Sequence, residues 1–217
     1  PEACEPFWDR GIPTIQAYGQ TEAGPSNYMY VPQSGEMDEI RRMSGSVGRA
    51  MFHSDYKILH QETGEPVMVN EVGMLYLRSL HNFAGYLNDD YRTEKTIDAE
   101  GWVETGDLAK QDENGDITIC GRADYMFISG GENISPEEIE LALVKHPLVT
   151  DALCVGIPDD NWGQVPVAGV VLRNEANLDL KALRENCQKY IADFKLPRQI
   201  KVFDALPVTA VGKPDRA

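Results

Sequence analysis

Residues 121–140, GRADYMFISGGENISPEEIE, constrain the fold more tightly than any other stretch of the chain. Gly121-Arg122-Ala123-Asp124 reads as a turn carrying a cation and an anion. Gly130 and Gly131 are adjacent, so the backbone there can take positive φ or pass close to a ligand. Ser135-Pro136-Glu137-Glu138 predicts a helix start, with Ser135 as N-cap, Pro136 at the first helical position and Glu138 closing a capping box. A loop with backbone freedom thus feeds a firmly specified helix, which suits a place where something binds or pivots.

The pattern differs on the two sides of this stretch. From Gly48 to Cys120 the signals are β: strands near 56–59 and 74–78, a short helix over 89–98, and a hairpin at Asn114-Gly115 leading into 117–120. Such short strands predict a small barrel-like or twisted antiparallel subdomain. Beyond Asp124 the order is a helix over 135–146, strands at 149–157 and 165–172, a helix over 180–194 and a strand at 200–206. In the first helix, Ile139, Leu141, Leu143 and Val144 are available to face a core. The fold class is therefore α+β, a β-rich subdomain followed by a compact α+β domain. The expected divisions are 1–46, a strand at 12–17 delivering a loop and then a connection with a short helix near 37–42; 47–123, the β-rich part; and 124–217.

Charge narrows the partners. With 20 Lys and Arg against 35 Asp and Glu, the formal charge is −15, and no electrostatic footprint for nucleic acid is present. Anionic small molecules then need glycine loops and a few placed cations. No apolar run is long enough for a transmembrane helix. The opening PEACEPFWDRG lacks the pattern of a signal peptide, and Pro1 reads as a product of truncation or processing. Cys4, Cys120, Cys154 and Cys187 form no CxxC pair, and His53, His60, His81 and His146 have no metal-ligand spacing. A reduced, cytoplasmic location is expected.

Three segments, in order, resemble the signatures of the adenylate-forming superfamily of acyl-CoA synthetases, luciferases and peptide-synthetase adenylation domains. They are YGQTEAG at 18–24, GWVETGDLA at 101–109 running on to GRADYMFISGGENISPEEIE, and LPVTAVGKPDR at 206–216. The resemblance implies binding of ATP and a carboxylic acid, formation of an acyl-adenylate, and attack by coenzyme A or another acceptor. It places Tyr18 against adenine on a turn that Gly19 permits, Thr21 at the α-phosphate, and Glu22 at Mg²⁺, a metal that takes few carboxylates beside substrate phosphates. Asp107 would accept from the ribose hydroxyls, the bland alternative being a turn or helix cap. Arg122 would contact ribose or phosphate with its rigid donor fork. Asp124 is the implied hinge on which a small C-terminal lid swings, the alternative being an ion pair to Arg122. Gly130 and Gly131 would line a passage for the acceptor's pantetheine arm, and Lys213 would stabilise charge during adenylation.

Ile128 departs from the family, which often has Lys there, and SGGEN followed by IxPxEIE leans toward carboxylate–CoA ligases. The family's phosphate loop ending Pro-Lys-Gly does not occur in these residues, nor does most of an acyl pocket. The chain resembles the C-terminal part of an acid–CoA ligase acting on a fatty or aryl acid, with the N-terminal half missing and the isolated piece inactive. Residues 1–46 are expected to expose Phe7, Trp8 and Ile12 and to self-associate. Three other readings stay open: a peptide-synthetase adenylation domain, a luciferase-type oxygenase, and a non-catalytic module that binds a nucleotide or a partner protein.

Overall fold

The computed structural model describes residues 4–32, 35–173, 179–210 and 212–216. The chain divides into two compact units, Pro1–Cys120 and Gly121–Ala217. In the first unit α1 (Glu5–Trp8) precedes β1 (Ala17–Gln20), β2 (Gly24–Met29), α2 (Met37–Arg42) and β3 (Arg49–Ala50). Then come β4 (Ser54–Leu59), β5 (Gly73–Ser79), α3 (Asp90–Thr96), β6 (Val103–Gln111) and β7 (Ile117–Arg122), whose last two residues belong to the second unit. β1, β2 and β3 form one antiparallel sheet, and β4 to β7 form a second, paired in sequence order.

Period-two alternation decides which side chains leave water. Leu75 and Leu77 of β5, Val103 and Ala109 of β6 and Ile117 of β7 are buried, and they pack with Ala23, Tyr28 and Ile58 in one cluster. The hairpin of β1 and β2 therefore shares a core with the four-stranded sheet. Ser46 fastens the join: its Oγ donates to the Ile117 carbonyl at 2.7 Å and accepts from the Gly48 amide at 2.9 Å. The antiparallel character matches the sequence reading, but the sheet stays open, with β4 and β7 at its edges, so no barrel closes.

The second unit holds the hairpin of β8 (Phe127–Ser129) and β9 (Glu132–Ile134), then α4 (Pro136–Val144), β10 (Val149–Asp159) and β11 (Gly163–Leu172). α5 (Leu180–Cys187) and β12 (Gln199–Phe203) complete it. β11 is central: β10 runs antiparallel to it, β12 pairs parallel over Val167–Val171, and β8 meets it at Gly163. Ile139, Ala142 and Leu143 of α4 and Leu183 and Cys187 of α5 bury against Cys154, Ala168 and Val170 of the sheet.

Several expectations need correction. Residues 12–16 form no strand; the strand is Ala17–Gln20, so the YGQ motif is itself β structure. Leu141 is 54% exposed, because a 3.6-residue period carries Ile139, Ala142 and Leu143 inward and turns Leu141 out. The capping box is absent: Ser135 makes no side-chain cap and donates to Glu137 Oε2 at 2.9 Å, while Glu138 pairs with Lys195 at 2.5 Å. Trp8 is buried, with Nε1 donating to the Thr14 carbonyl and Arg41 over its ring, whereas Phe7 and Ile12 are exposed as anticipated. The helix expected over 180–194 ends at Cys187, and the chain turns before a 3₁₀ segment, Asp193–Lys195, that leads Leu196 into the core.

Two neighbours in the buried hairpin should respond oppositely to truncation. The Tyr28 hydroxyl is buried without a hydrogen-bond partner among the described residues, whereas Asn27 Nδ2 donates to the Ala23 carbonyl at 2.8 Å and to Ser54 Oγ at 3.0 Å. Denaturant unfolding should find Tyr28→Phe neutral or stabilising by up to about 1 kcal/mol, and Asn27→Ala destabilising by about 1–3 kcal/mol. A loss for Tyr28→Phe as large as that for Asn27→Ala would show that the phenol has a partner.

Candidate functional site

The hairpin between β1 and β2 presents Thr21, Glu22 and Ala23 at its tip, between the paired residues Gln20 and Gly24. Gly19 is demanded by proximity: a Cβ there would stand 2.4 Å from the Pro25 carbonyl carbon and 2.6 Å from the Gly24 oxygen. Gly24 closes the turn at φ +97°. Thr21 is exposed and Ala23 buried. Glu22 is held at two points, its carbonyl accepting from the Phe83 amide at 2.9 Å and its Oε1 from the Tyr86 hydroxyl at 2.6 Å. Arg92 sits 4.0 Å from the centre of the Tyr86 ring, and Phe83 packs edge-on against that ring at 4.9 Å. Burial, then the bond to Glu22, raises the Tyr86 phenol above its ordinary value, which keeps it a donor.

Asp107 comes to the same unit by a bulge. β5 advances two residues, from Met74 to Tyr76, while β6 spans four, from Leu108 to Glu104. Gly106 takes φ +72° inside the bulge. Thr105, buried, fixes it, donating from Oγ1 to the Leu75 carbonyl at 2.7 Å and accepting the Asp107 amide at 3.0 Å. The result joins two motifs 89 residues apart: Tyr18 Oη donates to Asp107 Oδ2 at 2.5 Å. Gln20 Nε2 donates to Tyr18 Oη at 3.1 Å. Burial first, and the Asp107 charge second, push the Tyr18 phenol well above its usual range. Asp107 is therefore neither a turn nor a helix cap; it lies within a strand.

The remaining candidates belong to the second unit. Arg122 Nη2 donates to Asp124 Oδ2 at 3.1 Å, and both side chains are solvent-exposed in part, 41% and 73%. The ion pair considered for Asp124 is thus present, and Asp124 sits in the 3₁₀ turn Ala123–Tyr125. Gly130 and Gly131, at φ +60° and +89°, make the two-residue turn from β8 to β9. They differ in surroundings. A Cβ on Gly130 would meet the Trp162 ring at 2.6 Å, while one on Gly131 would meet nothing within 4 Å. Ile128 is exposed. Lys213 is exposed on a turn in which its amide donates to Thr209 Oγ1 at 3.2 Å and its carbonyl accepts from the Thr209 amide at 2.8 Å.

So the structure gathers Tyr18 and Asp107, and separately Arg122 and Asp124, while Gly131 and Lys213 lie at the surface of the second unit. Sequence reading missed Tyr86, Gln20 and Thr105. Gln20 and Thr105 stand inside the quoted motifs, and only their polarity marks them. Tyr86 follows Gly85 just before the N-cap Asp89, a position that signals an ordered loop but not its carboxylate partner.

Residues 1–87 match the family model "AMP-binding enzyme", and residues 138–213 match "AMP-binding enzyme C-terminal domain". The chain belongs to the AMP-binding enzyme family. It is 36% identical over 199 residues to a medium-chain acyl-CoA ligase, mitochondrial, of Mus musculus, a match taking in 92% of this chain and 32% of that one. Against the 2-succinylbenzoate–CoA ligase of Geobacillus kaustophilus the identity is 34% over 212 residues, 98% of this chain and 41% of the relative. Among solved structures, o-succinylbenzoate CoA synthetase from Bacillus subtilis, in complex with its acyl-adenylate intermediate, superposes with a TM-score of 0.86 at 30% identity. That superposition takes in 98% of this chain and 42% of the synthetase. The chain thus spans about a third of the length of the curated relatives it matches first, 35% and 32%. Among its described residues no helix is long and apolar enough to cross a membrane.

In this family member the buried phenols set an alkaline limit. Tyr18 and Tyr28 keep their protons in the fold above the ordinary value of 10.0, both chiefly through burial, whereas the unfolded chain ionises there. Their contribution is present in full below about pH 10 and declines as pH climbs past it. Alkaline unfolding followed by circular dichroism should begin there, and Tyr18→Phe should flatten the stability-against-pH curve on that side. An unchanged slope would exclude Tyr18 as a source.

Proposed function

We propose that this chain is the C-terminal part of an ATP-dependent, AMP-forming acid–CoA ligase, most suited to a fatty or aryl acid. The observation that carries the reading is the 2.5 Å bond from Tyr18 to Asp107, which unites two separate nucleotide-binding motifs at one place. Tyr18 then offers its ring face to adenine while its hydroxyl orients Asp107, whose carboxylate has lone pairs left to accept both ribose hydroxyls. Thr21, exposed at the hairpin tip, donates to an α-phosphate oxygen.

Mg²⁺ fits this arrangement in a limited way. No group of three His, Cys, Asp or Glu side chains is gathered among the described residues, so a site built from protein ligands alone is absent from them. Glu22 offers one carboxylate, with Oε1 engaged by Tyr86, which suits a metal whose other ligands are substrate phosphates and water. There the ion would neutralise phosphate charge; Glu22 would hold it, and Tyr86 would hold Glu22.

The second unit supplies the groups that change between half-reactions. In adenylation Lys213 brings a point charge to the carboxylate and α-phosphate, where charge develops in the transition state. Arg122 adds a donor fork to the nucleotide. Residues 124–217 then turn as a lid about Asp124, whose partly exposed pair with Arg122 can break at little cost, a surface pair being worth about 0–1 kcal/mol. The turn at Gly130 and Gly131 replaces Lys213 and lines the thiol's passage, with Gly131 leaving open space where a side chain would stand. The phosphate cradle and most of the acyl pocket lie outside these 217 residues. The intact enzyme is taken to be cytoplasmic, and the exposed Phe7 and Ile12 to favour self-association of the isolated chain.

In a full-length enzyme carrying this chain, a panel of carboxylic acids should support CoA- and ATP-dependent release of AMP. Lys213→Ala should lower ATP–pyrophosphate exchange by about 100-fold or more, the scale of losing one transition-state donor, while sparing thioester formation from pre-made acyl-adenylate. Equal loss in both half-reactions would remove Lys213 from its assigned step. The purified 217-residue chain alone should show no pyrophosphate exchange with any acid, and measurable exchange would place the phosphate cradle within it.

A further inference from the structure

Arg216 follows Lys213 by three residues in the same motif, yet its side chain is only 13% exposed. Its Nη2 donates to both carboxylate oxygens of Glu140 on α4, at 2.8 and 2.9 Å, and stands 3.6 Å from Glu137 Oε1 on the same helix. Its guanidinium carbon lies 4.6 Å from the centre of the Tyr125 ring. Glu140, 16% exposed, also accepts the Cys154 amide of β10 at 2.7 Å. One guanidinium therefore ties together α4, β10 by way of Glu140, and the turn that contains Asp124.

The segment bearing Lys213 depends on that tie. Val208 and Pro214 pair as a bridge, and the Asp215 amide donates to the Pro207 carbonyl at 3.0 Å, so the turn is closed on itself. Lys213, Gly212 and Pro214 are exposed, and burial resumes at Asp215 and Arg216. A closed turn with an exposed tip takes its direction from the point where it is fastened to the body. That point is a charged, largely buried pair, which tolerates neither loss of a partner nor sliding.

We propose that Arg216 is a positioning residue: clamped on Glu140, it fastens the terminal turn to α4 and sets the direction in which Lys213 is presented. Through Tyr125 the same clamp makes the turn follow the segment beside Asp124. The inference rests on the role proposed for Lys213, and the test separates the two.

In the full-length enzyme, Arg216→Met should slow adenylation by about 10- to 100-fold through kcat, since misplacement of about 1 Å can cost that much. KM for ATP should stay within about twofold, and thioester formation from pre-made adenylate should be spared. Arg216→Lys should recover part of the rate. Glu140→Gln should shift adenylation the same way, and the double variant should be no worse than Arg216→Met alone, because both break one interaction. Amide hydrogen exchange should quicken at Gly212 and Asp215 in Arg216→Met while Leu143 of α4 keeps its protection.

The proposal falls if Lys213→Ala is inactive in adenylation while Arg216→Met matches the wild type. It falls equally if exchange at Asp215 is unaltered, or if Leu143 loses protection with it, since Arg216 would then only hold the fold. Should Lys213→Ala keep adenylating, the role of Lys213 fails, and exchange at Asp215 still decides whether the clamp exists.

Discussion

The Thr105 hydroxyl settles the geometry on which the first unit's site depends. It faces the Leu75 carbonyl on one side and the Asp107 amide on the other, 2.7 and 3.0 Å away, and so holds two residues too many inside a strand pair. A sheet left to itself would send Asp107 to one face by the period of two. The bulge interrupts the regular pairing there, and the Asp107 carboxylate within it meets Tyr18. Buried polar groups persist when fully partnered, and Thr105 has the room and the partners for it. The Asp107 carboxylate is thereby placed by an element that bears no charge.

The same logic separates Glu22 from Asp107. Each has one oxygen taken by a tyrosine hydroxyl, at 2.6 and 2.5 Å, yet the tyrosines come from different places. Tyr18 stands within the hairpin strand, so Asp107 is anchored to the sheet core. Tyr86 stands on a segment steadied by Arg92 and Phe83, so Glu22 depends on packing outside the sheets. A neutral phenol on a carboxylate fixes direction without cancelling charge, which leaves the anion able to attract a cation or hydroxyl donors.

Much of this was legible in the sequence because local rules agreed with the fold. The short helices Met37–Arg42 and Asp90–Thr96 and the apolar strands around Val149 and Val165 lie where the sequence places them, and tertiary packing did not override them. Where reading failed, a long-range partner intervened. Glu138 could not close a capping box because Lys195, 57 residues on, took its carboxylate. Trp8 looked like bare surface because the groups that cover it, Thr14 and Arg41, announce nothing in sequence. The strand expected over 12–17 began later, since the pairing partner of β1 is β2 and the register starts at Ala17. The motifs named the candidate residues, but the bond between Tyr18 and Asp107 spans 89 positions and no short pattern encodes it.

Tyr18, Thr105 and Asp107 of the first unit and Lys213, Asp124 and Gly131 of the second stand in opposite surroundings, and that contrast bears on why the proposed chemistry needs a moving part. Tyr18, Thr105 and Asp107 are held by one another and by the Leu75 carbonyl, at a cost already met by folding. Lys213, Asp124 and Gly131 are left in water. An ammonium in water interacts weakly with a phosphate at 4 Å, by about 1 kcal/mol, and several-fold more strongly once the surroundings are less polar. An exposed lysine is therefore of little use where it stands and of much use where it is covered. A fixed, buried lysine would serve adenylation but would obstruct the thiol afterwards. In the proposed cycle, keeping the cation on a tethered turn at the surface of a separate unit would let one group be present for the first step and absent for the second.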